Sequence, residues 1–486
     1  MTKIVFPANR PSRTKIVATV GPASDAEETL TALIKAGVDV FRLNMAHGGT
    51  GDAQVRLDKI RNAAKQLGVP IGVHADLAGP KMRLGEIPGG EYRCTPAVPM
   101  KFVRGKTATE PNTFTTTYEP LIDDLNVGDR IMLADGTVAV QVAEKTPDYV
   151  VCSVVQGGVV RSRQGVNLPG AKLSVKTLQS ADIEHAQWAV AAGVDYLGVS
   201  FVRSADDIRE LRQILLEEAV KLGQPLSVIP RIIPKIEKPE AVERLESIVD
   251  AADAVMVARG DLGVELDIAQ MATVQKKIIS VCRQKGKPVI TATQMLESMH
   301  HQTLPTRAEA TDVANAILDG TDACMLSGET AVGEYPVQAV EMMHRIAVET
   351  EKLLYERETQ FPAVKNIKRE SLTDSVCDAA VHLANEIGAA LLLVETSTGK
   401  TALSLSNRRS MTLTLGTSRN EKTLNWMNLY WGVLPVLNAP EDPRECLRAV
   451  LDSGTAAGYL KGGDKVVLVG GVGEEHRNVI YVHVVG

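Results

Sequence analysis

Two residues apart, Lys235 and Glu237 bracket Ile236 at the end of an apolar run, a spacing that puts a cation and a carboxylate on one side of a strand. Other short apolar runs also end in polar groups. Arg42, Asn44 and His47 stand at or just after the end of one run, and Asp76, Lys81 and Arg83 at or just after the end of the next. Further along come Arg259-Gly260-Asp261, then Thr293-Gln294, then Ser327-Gly328-Glu329. Glu237 and Asp261 would make the sparse oxygen site that magnesium accepts when substrate and water complete its octahedron. Arg42, Arg83 and Lys235 are cations suited to holding phosphate and offsetting charge on a transferred group. Gly260 allows close backbone approach to an anion, and Thr293 adds a hydroxyl. Any one of these is more often a rim ion pair or a helix cap. Together they suit phosphoryl transfer.

Such a set needs a scaffold that brings the ends of many strands together. Eight apolar runs alternate with amphipathic stretches: Lys15 to Val20, Val38 to Leu43, Ile71 to Asp76, Tyr196 to Phe201, Ile229 to Ile236, Ala254 to Ala258, Pro288 to Ala292 and Ala323 to Leu326. Ile208 to Val220 and Thr273 to Cys282 carry helical spacing between them. This rhythm predicts an α/β chain built on a (β/α)8 TIM barrel, whose active sites lie at the C-terminal strand ends. Between Arg83 and Ser174 the helical period gives way to short alternating runs, such as Arg130 to Leu133 and Val138 to Val142 around Asp135-Gly136. A small β-barrel domain inserted after the third strand is expected there, with hinges at Ile87-Pro88-Gly89-Gly90 and Leu168-Pro169-Gly170. Beyond a long helix ending near Glu356, helix Ser375 to Ile387 and runs at Ala390 to Glu395, Lys465 to Val469 and Val479 to Val485 predict a C-terminal α/β domain. The expected boundaries are 1–84 and 172–352 for the barrel, 85–171 for the insert and 353–486 for the last domain.

Composition narrows the class. At 486 residues the chain exceeds a single core. Its 53 Lys and Arg against 59 Asp and Glu leave −6, with no general attraction to nucleic acid or anionic membrane. No apolar run approaches the ~20 residues of a membrane span, and the first residues lack an h-region. Six scattered cysteines without a CxxC pair suit reduced thiols in a cytoplasmic protein. There is no Walker A run, GxSxG elbow or metal-spaced His/Cys cluster.

Five ordered segments carry a family resemblance. Lys235-Ile236-Glu237, Met256 to Gly263, Ala292 to Met299, Pro305 to Glu309 and Leu326 to Ala331 resemble pyruvate kinases, as do Arg13 to Ile16, Gly21 to Ser24 and Arg42-Leu43-Asn44. The resemblance covers nearly the whole chain. It implies transfer of phosphate from phosphoenolpyruvate to ADP, giving pyruvate and ATP in glycolysis. It also implies a magnesium ion (or manganese) held by Glu237 and Asp261, and a homotetramer. Lys235 would neutralise the moving phosphoryl group; Arg42 would grip phosphate; Gly260, Asp261 and Thr293 would bind the substrate carboxylate. Thr293 and Ser327 would serve the proton route to pyruvate, and Asn44, His47 and Arg83 the nucleotide.

Some positions depart from the pattern: Ala46, Leu77 and Ala181 stand where relatives often carry Ser, Thr and Lys, and Lys81 stands where potassium-dependent relatives carry Glu. Near Asn44 and Asp76, the Lys81 ammonium would therefore take the place of potassium. In the last domain Ser397, Thr398, Lys400 and Thr401 form a plausible cradle for a phosphorylated effector. The acidic loop Gly471 to Arg477, with Glu474 and Glu475, favours a monophosphate there. The competing readings are a catalytically inactive barrel that senses metabolites and another phosphoenolpyruvate-using or aldol-type barrel. Joint retention of Lys235, Glu237, Asp261 and Thr293 opposes the first; the insert and last domain oppose the second.

Overall fold

The computed structural model describes residues 4–6, 12–46, 48–171, 173–360, 371–437, 439–440, 442–470 and 479–486. Eight parallel strands close a barrel: β1 (Lys15–Thr19), β2 (Val40–Asn44), β3 (Gly72–Asp76), β4 (Tyr196–Val199), β5 (Arg231–Ile236), β6 (Val255–Ala258), β7 (Val289–Ala292) and β8 (Ala323–Leu326). β1 pairs with both β2 and β8, which closes the ring and leaves no free edge. Side chains alternate across each strand. Val17, Val40, Ile233, Met256, Ile290 and Met325 fill the interior, while the other face packs under the surrounding helices. Those helices have the caps that their sequences offer. Thr306 and Glu309 exchange hydrogen bonds at the start of helix Arg307–Asp319, and Gly320, at φ 99°, closes it.

The segment between β3 and β4 forms a six-stranded sheet and a two-stranded sheet around its own apolar core. Arg130–Leu133 and Val138–Lys145 pair antiparallel across a turn in which Ala134, Asp135 and Gly136 all have positive φ. The expected hinges are corrected by this core. Ile87 and Leu168 are buried inside it together with Leu84, and the Ile87 amide donates to Ser162 Oγ at 2.9 Å. The Pro/Gly segments therefore belong to the insert's body, and the chain crosses to the barrel outside them.

The last domain is a five-stranded sheet of β9 (Leu391–Glu395), β10 (Leu413–Thr417), β11 (Val433–Pro435), β12 (Lys465–Gly470) and β13 (Val479–Val484). Its order is β11-β10-β9-β12-β13, with only β13 antiparallel. Strands β10 and β11 were not among the expected runs. All six cysteines are free and buried. Among the described residues, no helix is long and apolar enough to cross a membrane.

Candidate active site

Polar side chains converge at the C-terminal mouth of the barrel because β2, β3 and β5 each carry an inward-facing charged residue at or within two residues of their ends. Arg42, Asp76 and Lys235 meet there. Asp76 Oδ2 accepts from Arg42 Nε at 2.7 Å and lies 3.5 Å from Lys235 Nζ. Lys235 Nζ also lies 2.9 Å from Glu237 Oε1 and donates to Ser200 Oγ at 2.9 Å. Arg42 is braced from β1, its Nη1 donating to Thr19 Oγ1 at 3.1 Å.

These charges are largely out of water, so they set one another's protonation. Burial pushes Asp76 up, but the Lys235 and Arg42 cations outweigh it and hold the carboxyl well below the usual range. Burial opposes the charge on Lys235, yet Asp76 and Glu237 keep its ammonium firmly protonated. Glu237 is pushed up to about 7 by burial, against Lys235 and with the Asp261 charge adding to the rise. A carboxylate buried beside a second one suits a divalent cation, which would remove both the repulsion and the burial penalty. Glu237 and Asp261 thus fit a divalent metal, which they would hold and which would supply positive charge at the mouth.

Backbone conformation also shapes the mouth. Phe201, after β4, has φ 54°, and its amide donates to Glu237 Oε2 at 2.6 Å. Thr293 and Gln294, after β7, have φ 65° and 54°, a region that side chains rarely occupy. Thr293 Oγ1 donates to Ala292 O at 2.6 Å and accepts from the Gly260 amide at 2.8 Å. The Thr293 hydroxyl and the Gly260 amide are therefore engaged with each other. Nothing in the fold demands glycine at 260, where an added Cβ would meet Thr293 Oγ1 at an ordinary 3.5 Å. Asp261 is half-buried in the first turn of helix Arg259–Glu265. Ser327 Oγ is buried without a hydrogen-bond partner, while its amide donates to Glu329 Oε2 at 2.7 Å.

Lys81 sits at the rim. Partial burial and the Lys235 charge lower its pKa, and Asp261 and Asp76 pull the other way, so the ammonium lies in the same electrostatic neighbourhood as the cluster. Asn44 Oδ1 is occupied by the Ala46 amide at 3.2 Å. Arg83 reaches into the insert, donating to the Arg163 carbonyl at 3.3 Å. His47 lies outside the described residues, as do Glu474 and Glu475 of the final loop. The residues expected to cradle an effector in the last domain lie away from this mouth. Ser397, Thr398 and Lys400 are exposed around Gly399, at φ 81°, where helix Lys400–Asn407 begins, with Thr401 in its first turn.

Sequence reasoning missed Ser200, Phe201 and His74, and assigned nothing to Arg259. The Ser200-Phe201 pair closing the fourth run was a usable signal. His74 was not legible, because nothing local distinguishes it from a core residue.

Comparisons with known proteins agree on one family. The family described as pyruvate kinase, barrel domain, matches residues 11–340, and pyruvate kinase, alpha/beta domain, matches residues 374–483. Pyruvate kinase of Geobacillus stearothermophilus is 38% identical over 483 residues, covering 97% of this chain and 80% of that protein. A Staphylococcus epidermidis pyruvate kinase is 38% identical over 493 residues, with 98% and 80% covered. The crystal structure of a pyruvate kinase from Cryptosporidium parvum superposes with a TM-score of 0.89 at 32% identity, covering 98% of this chain and 96% of that one. With both domain types matched in order and relatives alike along almost the whole length, this chain belongs to the pyruvate kinase family, a family of phosphotransferases.

Proposed function

We propose that the barrel mouth transfers the phosphoryl group of phosphoenolpyruvate to ADP, giving pyruvate and ATP, with Lys235 as the central cation. The observation that carries this reading is the cluster itself: Arg42 and Lys235 held on one oxygen of Asp76, with Glu237 beside them. Arg42 grips phosphate, and Lys235 stabilises the charge on the group in flight. Glu237 and Asp261 hold magnesium or manganese. Gly260, Asp261 and Thr293 bind the substrate carboxylate, which requires the Thr293–Gly260 hydrogen bond to open toward the ligand. Thr293 and Ser327 serve protonation of the enolate, and Asn44, His47 and Arg83 serve the nucleotide. A coupled assay for ATP formation from phosphoenolpyruvate and ADP tests the activity; no turnover with divalent metal present would leave a metabolite sensor.

The insert, residues 85–171 between barrel segments 1–84 and 172–352, acts as a lid over the nucleotide. The domain at 353–486 is regulatory, binding a phosphorylated metabolite at Ser397, Thr398, Lys400 and Thr401. The enzyme works as a cytoplasmic homotetramer. Potassium is dispensable, because the Lys81 ammonium supplies a single charge near Asn44 and Asp76. At about 4 Å and an effective dielectric near 20, one such charge is worth ~4 kcal/mol. Activity in sodium should stay within about twofold of that in potassium, and Lys81→Glu should create a potassium requirement; more than tenfold activation of the unaltered enzyme defeats the idea.

A further inference from the structure

Asp76 spends only one of its oxygens on the cations. Oδ2 serves Arg42 and Lys235, whereas Oδ1 is buried without a hydrogen-bond partner. Two residues earlier, on the same face of β3, His74 is fully buried, and neither Nδ1 nor Nε2 has a partner. The free groups point to one place. A Cβ built on Gly198 of β4 would lie 2.5 Å from His74 Nε2 and 2.6 Å from Asp76 Oδ1. The backbone of Gly198 is outside the left-handed region, so space alone requires glycine there. The neighbouring interior is apolar, with Val17, Ile233, Met256 and Ile290. A residue that only filled volume in such surroundings would be better as leucine, since a buried polar group without a partner is costly.

We propose that His74 is a positioning residue for phosphoryl transfer. Its Nε2 and Asp76 Oδ1 flank the same point, both without a partner, and a turn of the ring brings its N–H onto that oxygen; the hydrogen bond so closed fixes the plane of the carboxylate, so that Oδ2 keeps Arg42 and Lys235 in register. The charged groups around the ring are Asp76, Arg42 and Lys235. Burial and the two cations hold its pKa down, at about 4, against the pull of Asp76. The imidazole is thus neutral with one N–H to donate. Without it the carboxylate can swing about its last torsion, and both cations lose their shared anchor. Small displacements of this kind can cost up to ~100-fold in rate.

The inference rests on the roles given to Lys235 and Arg42, so the experiment separates the two. Steady-state kinetics on the full chain would compare His74→Leu, which keeps volume and removes the donor, with His74→Gln, which keeps a neutral N–H. His74→Leu should lower kcat about tenfold or more, with KM for phosphoenolpyruvate within about twofold and melting temperature unchanged or higher. His74→Gln should recover to within about threefold of the unaltered enzyme. If His74→Leu does not fold, His74→Met takes its place with the same expectation. A leucine or methionine variant with undiminished kcat, or a glutamine variant as impaired as leucine, overturns the role. Lys235→Met serves as the control. If it is inactive while the His74 variants are not, the site reading stands and this inference fails. If Lys235→Met retains activity, the site reading itself falls.

Discussion

Lys235 faces three oxygens, from Glu237 and Ser200 at 2.9 Å and from Asp76 at 3.5 Å, with its side chain only 11% exposed. An ammonium fixed so completely before substrate arrives needs little reorganisation as charge develops. Removing one such preorganised donor typically costs ~100–1000-fold in rate. Lys235→Met should therefore lower kcat by at least that factor, with circular dichroism unchanged; more than about a tenth of the original turnover excludes the role. Glu237 carries a second, independent prediction. Its folded pKa of about 7 lies above the value of an unfolded glutamate, so metal-free folding takes up a proton between the two. Stability then falls as pH rises through that window, by roughly 1.4 kcal/mol per pKa unit, and the loss is complete above the folded pKa. Glu237→Gln should raise the melting temperature of chelator-treated protein at pH 8 and change it little at pH 4.5. Equal shifts at both pH values would show that burial and Asp261 do not act on this carboxyl.

At the scale of elements, the strands and their polar ends were readable because a parallel barrel makes its strands apolar on both faces and gathers charge only near their C-terminal ends. Arg42, Asp76, Lys235 and Glu237 stand out as charges ending apolar runs. What stayed hidden depends on contacts across strands or on backbone angles. Ser200 matters because β4 lies beside β5, and Phe201 because a positive φ aims its amide at Glu237. Arg259 is the clearest case. It starts the helix after β6 but donates to the Thr293 carbonyl at 2.7 Å and the Gln294 carbonyl at 3.0 Å, and it is anchored on Asp312 at 2.6 Å. Two consecutive left-handed residues cost on the order of 1–3 kcal/mol each, and this guanidinium is the group that ties their carbonyls down. A lysine cannot span both carbonyls with a planar fork. Arg259→Lys should lower kcat/KM by about tenfold and speed amide exchange at Gly260, whose N–H is held by Thr293 Oγ1. Unchanged exchange there would mean that the turn holds itself.

The whole molecule is joined at the opposite end of the barrel from the chemistry. Trp426 and Leu429 belong to the last domain, yet they pack with Val17, Val40, Tyr196 and Ile233 and complete the barrel interior from below. The Trp426 indole donates to the Asp195 carbonyl at 3.0 Å, and Tyr196 donates to the Trp426 carbonyl. The Asp195 carboxylate gathers Arg61 at 2.6 Å, Lys422 at 3.3 Å and Asn425 at 3.2 Å; burial pushes it up, but Arg61 and Lys422 outweigh that and keep it ionised. Arg231, which begins β5, stacks 4.1 Å above the Trp426 ring, pairs with the Tyr430 hydroxyl and donates to the Thr398 carbonyl at 3.0 Å. One strand thus runs from the exposed turn at Thr398 of the last domain to Lys235 and Glu237 at the mouth. Such a junction should make barrel and last domain melt as a single unit. Truncating a buried tryptophan costs ~3–5 kcal/mol, and here the cavity would open in the barrel floor. Trp426→Ala should therefore lower the temperature at which activity is lost as well as the calorimetric transition, and by the same amount. If only a separate C-terminal transition moves while the barrel's own melting stays put, the floor is not shared and Arg231 carries no load between the two ends.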